Sequence, residues 1–339
     1  MSTTPAPFQV AMVTEPPVYL DLQQSVAKAC NLIAQAAKHG AKLIVFGESW
    51  LPGYPFWVWL RSVPEAVRTT AELWDNSLVI DSDECQRLQN AAAEHNIAVV
   101  MGINEREGGT IYNSLLFIDT DGCIPLVRRK LKPTGAERMV WGQGDGSNLR
   151  VVETNEIGLL GGHLCWEHTM HGLDAAFAAQ GEQVHVAAWP SFSLDLDYSL
   201  GRDANAALAQ AYAIRSQSFV VSAATVVTEE IVEKVNLSEK DAQFFRTGGG
   251  YAQVFAPNGM PLLPQVDEHE AGIFYAEINL ELIKFAKLIC DSTGHYTRPD
   301  VIQTVINRTE TSPVTFVDDE DANLDVKVDS LVETMIGID

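Results

Sequence analysis

The sequence predicts an α/β fold in which two β-sheets pack face to face and helices cover both outer faces. Segments with strand-like apolar runs alternate with segments of helical periodicity up to about residue 130, and the same alternation returns in the second half. No linker rich in proline, glycine or serine separates the two halves. We therefore expect one domain, residues 1–310, followed by an acidic C-terminal tail, residues 311–339.

The first half alternates predicted strands with predicted helices. Apolar side chains of the first helix are spaced for one face, and Gly40 follows at the point where that helix should end. Asp121-Gly122 predicts the tight turn of a hairpin. The predicted strands are 8–13, 42–46, 97–103, 111–118 and 124–129, and the predicted helices are 21–38 and 83–94, the second capped by Asp81 or Ser82.

The second half repeats the alternation and closes with a hairpin and a helix. A turn around Pro257-Asn258-Gly259 predicts the hairpin. The predicted strands are 157–164, 183–188 and 219–224, and the predicted helices are one that begins after His168, one at 203–217 and one at 280–289. Such a pattern is typical of two layered sheets with helices outside them.

The charge balance of the chain excludes several classes of partner. Acidic side chains outnumber basic ones by 45 to 23, which gives a formal net charge of −22. This charge repels phosphate backbones and anionic lipid surfaces, so we expect neither nucleic acid nor a membrane as a partner. No apolar run approaches the roughly 20 residues needed to cross a bilayer. Part of the acidity lies in the tail, where Asp318-Asp319-Glu320-Asp321 is typical of a solvated extension.

The cysteines indicate a reducing compartment. There are five, an odd number, and they are scattered without a CxxC pair, which argues against a disulfide framework and against a zinc ribbon. The N-terminal segment lacks the basic and apolar regions of a signal peptide. We therefore expect reduced thiols and a cytoplasmic location.

The first candidate for chemistry is Glu48, which follows the predicted strand 42–46 and Gly47. Catalytic groups favour the ends of buried strands, because a rigid sheet holds such a side chain at the mouth of a loop. On position alone, a capping or salt-bridging carboxylate is an equally good interpretation. The aromatic, proline-rich segment 49–59 that follows, which includes Tyr54, is suited to wall an apolar pocket.

The second candidate is Lys130, within a run of four cations in five residues that begins at Arg128. Such a run is normally a solvated face. A single lysine buried beside carboxylates would instead be a fixed cation, placed to stabilise negative charge that develops during a reaction. Glu137, seven residues further on, is a candidate for a second carboxylate in the same cleft.

The third candidate is Cys165, in the segment Gly161-Gly-His-Leu-Cys-Trp-Glu-His168. This segment ends a predicted strand and leads into a predicted helix. A cysteine at such a turn gains thiolate character from nearby N–H groups and cations, which makes it a nucleophile. A small buried hydrophobe is the commoner fate of a lone cysteine, and we favour that interpretation for Cys30 rather than for Cys165.

A rival interpretation makes the histidines around this cysteine metal ligands. The candidate ligands are His163, Cys165, His168 and His171. Positions 163 and 165 leave a strand on one face, whereas 168 and 171 lie past the turn, and no second ligand cluster appears in the sequence. A zinc-bound thiolate also could not attack a substrate. We therefore expect no metal.

Taken together, the three regions resemble the signature segments of the nitrilase branch of the carbon–nitrogen hydrolase superfamily. Glu48, Arg129-Lys-Leu-Lys-Pro-Thr134 and Cys165-Trp-Glu-His168 occur in the family's order and with its spacing. One departure is Gly47, which stands where the family usually has proline. Further agreement across residues 7–305 covers Leu51-Pro-Gly-Tyr-Pro55, Asn104-Glu-Arg106, Glu137-Arg138, Gly142-Gln-Gly-Asp-Gly146, Trp189-Pro-Ser191 and Gly294-His-Tyr-Thr-Arg-Pro-Asp300.

The resemblance implies a four-layer α-β-β-α sandwich and a homodimer that assembles into larger spirals or filaments. It implies no metal and no organic cofactor. It also implies roles for four side chains: Cys165 as nucleophile, Lys130 as cationic stabiliser, Glu48 as general base and Glu137 as the carboxylate that positions them.

The predicted activity is hydrolysis of an organic nitrile to a carboxylic acid and ammonia through a thioimidate and a thioester on Cys165. We expect the substrate to contact Tyr54, Trp166, Glu167 and Trp189. The segment that begins at Trp189 resembles arylacetonitrilases, whereas Trp166 resembles nitrilases of aliphatic and simple aromatic nitriles, and we favour an aryl-bearing substrate. The alternatives are an amidase, a cyanide hydratase-like enzyme that stops at the amide, and an inactive filament-forming or metal-binding scaffold.

Overall fold

The structure is a computed structural model that describes residues 6–312 of the 339-residue chain. The compact unit that carries the helices and strands ends at Arg308. Of the predicted acidic tail, only Thr311 and Ser312 fall among the described residues, so the boundary between domain and tail stays a prediction. Between residues 6 and 312, no helix combines the length and the apolar character needed to span a bilayer.

The described residues form twelve strands in two sheets. The strands are β1 (Phe8–Val13), β2 (Ala41–Val45), β3 (Ala98–Glu107), β4 (Thr110–Ile118), β5 (Leu126–Arg129), β6 (Trp141–Gly142), β7 (Val152–Thr154), β8 (Gly158–Leu164), β9 (Val184–Ala188), β10 (Phe219–Ala224), β11 (Tyr251–Phe255) and β12 (Ile273–Ile278). The first sheet has the order β12-β1-β2-β3-β4-β5, with β6 beside β4. The second sheet has the order β11-β10-β9-β8-β7.

Parallel strands lie at the centre of each sheet. In the first sheet β1, β2 and β3 run parallel, and in the second sheet β8, β9 and β10 do so. The carboxyl ends of parallel strands meet at one edge of a sheet, which is where α/β proteins place their functional loops. The loops after β2, β8 and β9 therefore start from such edges.

One apolar core joins the inner faces of the two sheets. Alternate side chains of each strand point into it, as the period of two in a strand requires. Its fully buried members come from both sheets and include Val10, Met12, Leu43, Val45, Val100, Leu160, Val186, Val221 and Val254. The two sheets therefore pack face to face.

Helices cover the outer faces. They are α1 (Leu22–Lys38), α2 (Val63–Asp75), α3 (Asp83–His95), α4 (Leu173–Ala178), α5 (Arg202–Ser216), α6 (Glu229–Val235), α7 (Glu239–Ala242) and α8 (Glu281–Ile289). Helices α1 and α3 share a second core with the outer face of the first sheet, and α5 packs on β10 and β11 of the second sheet. The predicted α-β-β-α sandwich is confirmed.

Helix α1 shows why its prediction from sequence was correct. The carboxylate of Asp21 accepts a hydrogen bond from the backbone N–H of Gln24, which satisfies one of the free donors of the first turn. Val26, Ala29 and Ile33 recur on the face that packs against the first sheet and are completely buried. Helix α3 begins in the same way after Ser82, which confirms Ser82 rather than Asp81 as its cap.

Several elements differ from the sequence prediction. Helix α2 and strand β12 were not predicted: α2 buries few side chains, and β12 is defined by antiparallel pairing with β1, more than 250 residues earlier in the chain. The helix expected directly after His168 begins only at Leu173, because Cys165–Thr169 forms a 3-10 turn. The turn at Asn258-Gly259 is present, but the return segment is short: Pro261 pairs with Phe255 of β11, and the N–H of Leu262 donates to the carbonyl of Val254.

Gly102 lets the loop after β2 cross β3 closely. A Cβ atom at this position would lie 2.2 Å from the carbonyl oxygen of Gly47 and 2.5 Å from the backbone nitrogen of Ser49. These backbone atoms flank Glu48, and the carbonyl of Gly102 accepts a hydrogen bond from the N–H of Leu51 in the same loop. The position of Glu48 therefore requires a residue without a side chain at position 102.

We expect Gly102→Ala to lower the free energy of unfolding by about 2–3 kcal/mol, because the clash is with backbone that cannot rotate away. Urea denaturation measures this change. Gly109→Ala is the matched control, since a Cβ at Gly109 meets nothing within 4 Å and should change stability by at most about 0.5 kcal/mol. Equal stability of the two variants would contradict the close crossing.

Candidate active site

Glu48 lies just beyond β2, where the first sheet meets the second. Its backbone N–H donates to the carbonyl of Trp189 at 2.9 Å, and Trp189 directly follows β9. At Gly47 a Cβ would approach the same carbonyl to 3.0 Å, so the departure from proline coincides with a close backbone approach. The side chain of Glu48 is 2% exposed and points into the protein interior.

Lys130 directly follows β5 and is buried between two carboxylates. The alternation of the strand turns Leu126 and Arg128 inward together with Lys130, whereas Arg129 turns to the other face. The ammonium group donates to Glu48 Oε1 at 2.6 Å and to Glu137 Oε2 at 2.7 Å. The run of cations is therefore not solvated throughout, because Lys130 is only 1% exposed.

Glu137 lies in a 3-10 turn, Gly135–Met139, and both of its oxygens are occupied. Oε2 accepts from Lys130 and from the backbone N–H of Thr134 at 2.6 Å. Oε1 accepts from the hydroxyl of Tyr54 at 2.7 Å, and that hydroxyl accepts in turn from the indole N–H of Trp59 at 2.9 Å. Glu137 thus joins the lysine to the aromatic loop.

Asn113 on β4 completes the cluster and was not predicted from the sequence. Its amide donates to Glu48 Oε1 at 2.5 Å, and its Oδ1 accepts from the hydroxyl of Ser49 at 3.3 Å. Glu48 Oε1 is therefore occupied by Lys130 and Asn113, whereas Oε2 is buried and has no partner among the described residues. The available signal was the pair Asn113-Ser114, two polar residues between the apolar positions of β4.

Cys165 lies at the carboxyl end of β8 in a left-handed backbone conformation, with φ of 49°. A non-glycine residue in this region costs of the order of 1–2 kcal/mol, and such residues cluster at functional sites. The backbone N–H of Trp166, the next residue in the chain, lowers the pKa of the thiol. The turn therefore presents the sulfur at the edge of the second sheet, opposite the loop that carries Glu48.

The thiol nevertheless stays protonated at rest, contrary to the expectation of thiolate character. Burial raises the pKa of Cys165 well above its ordinary value, and the charge of Glu48 raises it further. Lys130 acts in the opposite direction without reversing the shift. The sequence prediction was based on nearby cations and backbone N–H groups, which lower the pKa of a thiol. Burial and the two carboxylates raise the pKa by more than those groups lower it.

The two charged groups that act most strongly on the thiol have shifted pKa values of their own. Burial raises the pKa of Glu48 to about 7, opposed by the charge of Lys130. Burial alone would lower the pKa of Lys130, but the charges of Glu137 and Glu48 raise it well above its ordinary value. The cluster therefore holds a permanent cation beside a carboxyl group that titrates near neutrality.

A pocket lined mainly by aromatic and apolar side chains opens onto Cys165. Three of the residues expected to contact substrate, Tyr54, Trp166 and Trp189, line it together with the thiol. The remaining lining residues are Trp59, Thr134, Glu137, Pro190, Ser191, Phe192, Leu194, Leu200 and Asn205. The thiol of Cys165 therefore faces a cavity whose walls are mainly aromatic and apolar.

A family model for carbon–nitrogen hydrolases matches residues 9–288 of the chain. The chain belongs to the carbon–nitrogen hydrolase family. It is 41% identical to an aliphatic nitrilase of Rhodococcus rhodochrous over 91% of this chain and 84% of that one. It is 40% identical to an arylacetone-specific nitrilase of Alcaligenes faecalis over 88% of this chain and 84% of that one. A crystal structure of a carbon–nitrogen hydrolase from Helicobacter pylori shares the fold, with a TM-score of 0.70 and 19% identity over 87% of this chain and 96% of that one.

In this carbon–nitrogen hydrolase Glu167 does not face the pocket, which corrects its assignment as a substrate contact. Its carboxylate is completely buried and accepts two hydrogen bonds from Arg128, at 2.7 and 3.0 Å. It also accepts from the backbone N–H groups of Leu131 and Leu164, both at 2.8 Å. Burial would raise the pKa of Glu167, but Arg128 and these donors hold it below its ordinary value.

The pair Arg128–Glu167 therefore ties the strand of the lysine to the turn of the cysteine. Leu131 follows Lys130, and Leu164 precedes Cys165. The rival metal site is not formed among residues 6–312, where no three histidine, cysteine or carboxylate side chains are grouped to hold an ion. His168 instead donates from Nδ1 to the carbonyl of Cys165 at 2.7 Å.

We expect Arg128→Met to lower the free energy of unfolding by about 3–5 kcal/mol, because it leaves the carboxylate of Glu167 buried without its cation. Urea denaturation monitored by tryptophan fluorescence measures the loss. Lys132→Met removes an exposed cation from the same run and should cost at most about 0.5 kcal/mol. A loss as small in Arg128→Met as in Lys132→Met would contradict the structural role of the pair.

Proposed function

We propose that this protein hydrolyses organic nitriles to carboxylic acids and ammonia through a covalent bond to Cys165. One observation carries the proposal: Glu48 is held by Lys130 and Asn113 through one oxygen, while its other oxygen is buried without a partner. Such a carboxylate can accept the thiol proton as the sulfur attacks. The similarity to proteins named nitrilases, at 40–41% identity, supports the choice of nitriles among carbon–nitrogen substrates.

In the first step the sulfur of Cys165 attacks the nitrile carbon. The thiol proton passes to Glu48 Oε2, and the carbon–nitrogen triple bond becomes the double bond of a thioimidate. The nitrogen gains negative charge as it leaves sp geometry, and it takes up a proton from Glu48 while the ammonium of Lys130 stabilises the charge. Because Cys165 is a neutral thiol at rest, attack and proton transfer proceed together.

In the second step water replaces nitrogen. Glu48 accepts a proton from water as the oxygen adds to the thioimidate carbon and passes that proton to the nitrogen, which gives a tetrahedral carbon bonded to a hydroxyl group, an amino group and the sulfur of Cys165. Glu48 then transfers the hydroxyl proton to the amino group, ammonia leaves, and the carbon becomes a thioester. A second water then releases the carboxylic acid and regenerates the thiol of Cys165. The side chains of this chain suffice for each proton transfer.

The principal alternative differs only in which bond of the tetrahedral intermediate breaks. If the sulfur leaves before ammonia, the product is an amide, as in a cyanide hydratase-like enzyme. Lys130 and Glu137 favour loss of ammonia, because a cation and its paired carboxylate hold the amino group where it can be protonated. An amidase would use the same groups on an amide.

An aryl-bearing nitrile is the substrate we propose. Tyr54, Trp59, Trp166 and Trp189 all line the pocket, and flat aromatic walls suit an aromatic ring. The similar relatives include one named as an aliphatic nitrilase and one named as arylacetone-specific. We therefore base the choice of an aryl-bearing substrate on the aromatic side chains that line the pocket and not on the relatives.

The proposal also includes a cytoplasmic homodimer that assembles into larger spirals or filaments. The exposed apolar side chains of α8, including Phe285, Leu288 and Ile289, are suited to contact another subunit. All five cysteines are free thiols, as expected in a reducing compartment.

Ammonia release from a panel of aliphatic, benzylic and aromatic nitriles tests the function. We expect the wild-type protein to release ammonia and acid, fastest from aryl-bearing nitriles. Cys165→Ala should reduce release to background while leaving the circular dichroism spectrum unchanged, because it removes the nucleophile and only one sulfur atom. Cys85→Ala, at a buried cysteine outside the pocket, is the control and should keep its activity.

Retained turnover in Cys165→Ala would contradict the assignment of the nucleophile. Product analysis by mass spectrometry distinguishes the alternatives, because acid with ammonia supports a nitrilase and amide alone supports a hydratase. Ammonia released from amides but from none of the nitriles would identify an amidase.

We expect kcat/KM to rise with pH through an apparent pKa of about 7 and then to level off. The pKa of Glu48 is raised to about 7, so its carboxylate form, which accepts the thiol proton, is lost as pH falls below that value. Initial rates between pH 5 and 9 measure the profile. Glu48→Gln should lower kcat by about 100-fold or more and remove the acid limb.

Glu107→Gln alters an exposed carboxylate of β3 and should keep both the rate and the acid limb. An acid limb near pH 4.3, the ordinary value for glutamate, would contradict the role of a buried Glu48.

A further inference from the structure

Four buried polar side chains form a cluster that reaches the backbone of Cys165 and lies outside the substrate pocket. They are His168, His185, Glu182 and Tyr212, and each is at most 4% exposed. The 3-10 turn, the start of β9 and helix α5 bring them together. None of them lines the substrate pocket or takes part in the proton transfers proposed above.

These side chains form a continuous row of hydrogen bonds that ends at the nucleophile. The carbonyl oxygen of Cys165 faces His168 Nδ1 at 2.7 Å, and His168 Nε2 lies 3.1 Å from His185 Nε2. His185 Nδ1 lies 2.8 Å from Glu182 Oε1, and the hydroxyl of Tyr212 donates to Glu182 Oε2 at 2.7 Å. We call this row the histidine relay.

The donor and the acceptor of each hydrogen bond in the histidine relay can be assigned by starting from the carbonyl of Cys165. A carbonyl only accepts, so His168 must carry its proton on Nδ1. Burial and the neighbouring His185 lower the pKa of His168 to about 3, so the ring is neutral and its Nε2 accepts. His185 must then donate from Nε2, and its own pKa is lowered well below the ordinary value by burial.

The remaining proton of the relay belongs to Glu182. A neutral His185 that donates from Nε2 accepts at Nδ1, so Glu182 must donate from Oε1 as a carboxylic acid. Burial raises the pKa of Glu182 to about 8, which agrees with that state. If the proton moves to His185 Nδ1, His185 still donates from Nε2, so the bond to Cys165 keeps its direction.

The relay acts on the peptide group that faces the sulfur. The carbonyl of Cys165, which His168 contacts at 2.7 Å, and the N–H of Trp166 belong to one peptide plane, and that N–H lowers the pKa of the thiol. A donor on the oxygen fixes the orientation of the plane and strengthens the N–H as a donor, because hydrogen bonds along a chain polarise one another. The left-handed backbone of Cys165 makes such a fixed plane necessary.

We propose that Glu182, His185 and His168 are positioning residues that hold the Trp166 N–H against the sulfur of Cys165 and so favour its ionisation during attack. This inference rests on the proposed role of Cys165. The other titratable or charged groups that face the relay are His163, Arg128, Glu167 and Asp174. Arg128 and Glu167 pair with each other, so the relay lies beside a neutral pair.

A matched pair of methionine variants tests the relay. His185→Met removes its central ring, whereas His163→Met removes a neighbouring buried ring whose Nε2 has no partner among the described residues. The readouts are kcat and KM for the preferred nitrile, and the pH profile of Cys165 alkylation by iodoacetamide, assigned to the residue by peptide mass spectrometry.

We expect His185→Met to lower kcat by about 10- to 100-fold with little change in KM, because the sulfur and its donor lose their fixed geometry. Alkylation of Cys165 at neutral pH should slow by about tenfold, and its pH profile should move to higher pH. His163→Met should keep both quantities within about twofold of wild type. Equal effects in the two variants, or no effect in His185→Met, would overturn the proposal.

A second pair at Glu182 covers the case in which His185→Met does not fold. Glu182→Gln keeps a donor toward His185 and an acceptor for Tyr212, so it should keep most of the activity. Glu182→Met removes both and should behave as described for His185→Met. Loss of kcat and of thiol reactivity in Glu182→Gln equal to that in Glu182→Met would overturn the relay. Alkylation of Cys165 is measured without a nitrile substrate. If the protein does not hydrolyse nitriles, the alkylation profiles of the variants still test the relay.

Discussion

The site depends on one buried cation held between two carboxylates. Lys130 is within 2.6 and 2.7 Å of Glu48 and Glu137, and water reaches none of the three side chains freely. A charge removed from water costs several kcal/mol unless partners replace the solvent, so each of these groups requires the others. Tyr54 donates to the oxygen of Glu137 that the lysine does not contact, and Asn113 donates to the same oxygen of Glu48 that the lysine contacts.

The charge of this cluster sets the state of the sulfur. With both carboxylates ionised, two negative charges face one positive charge, so the cluster carries a net negative charge beside the thiol of Cys165. A thiolate would add a second net charge in a dry pocket, which explains why both the thiol and Glu48 retain protons more strongly than usual. The arrangement therefore favours the protonated thiol over a free thiolate.

The sequence was informative wherever local pattern decided the structure. Helix α1 carries its cap and its apolar face within its own residues, and Glu48, Lys130 and Cys165 each occupy the end of a strand that the pattern predicts. The geometry brings Glu48 and Lys130 into contact and places Cys165 within their electrostatic influence, although their chemical roles are proposals.

Features that depend on which strands become neighbours could not be predicted. Asn113 reaches Glu48 only because the loop after β2 crosses the first sheet, and the parallel pairing of β8 with β9 brings His185 beside His168. Glu167 looked like a pocket residue because it lies two positions from the cysteine, yet its partner Arg128 comes from the other sheet. Distances along the chain gave no indication of these contacts.

The residues of the site come from two different sheets, so the site forms only when the sheets pack together during folding. Glu48 and Lys130 follow strands of the first sheet, and Cys165 follows a strand of the second. Until the two sheets dock, the sulfur has neither the lysine nor the carboxylates near it and behaves as an ordinary cysteine. A nascent or partly unfolded molecule therefore lacks, beside the sulfur, the cation and the carboxylates that the proposed reaction requires, so that reaction becomes possible only once both sheets have packed together.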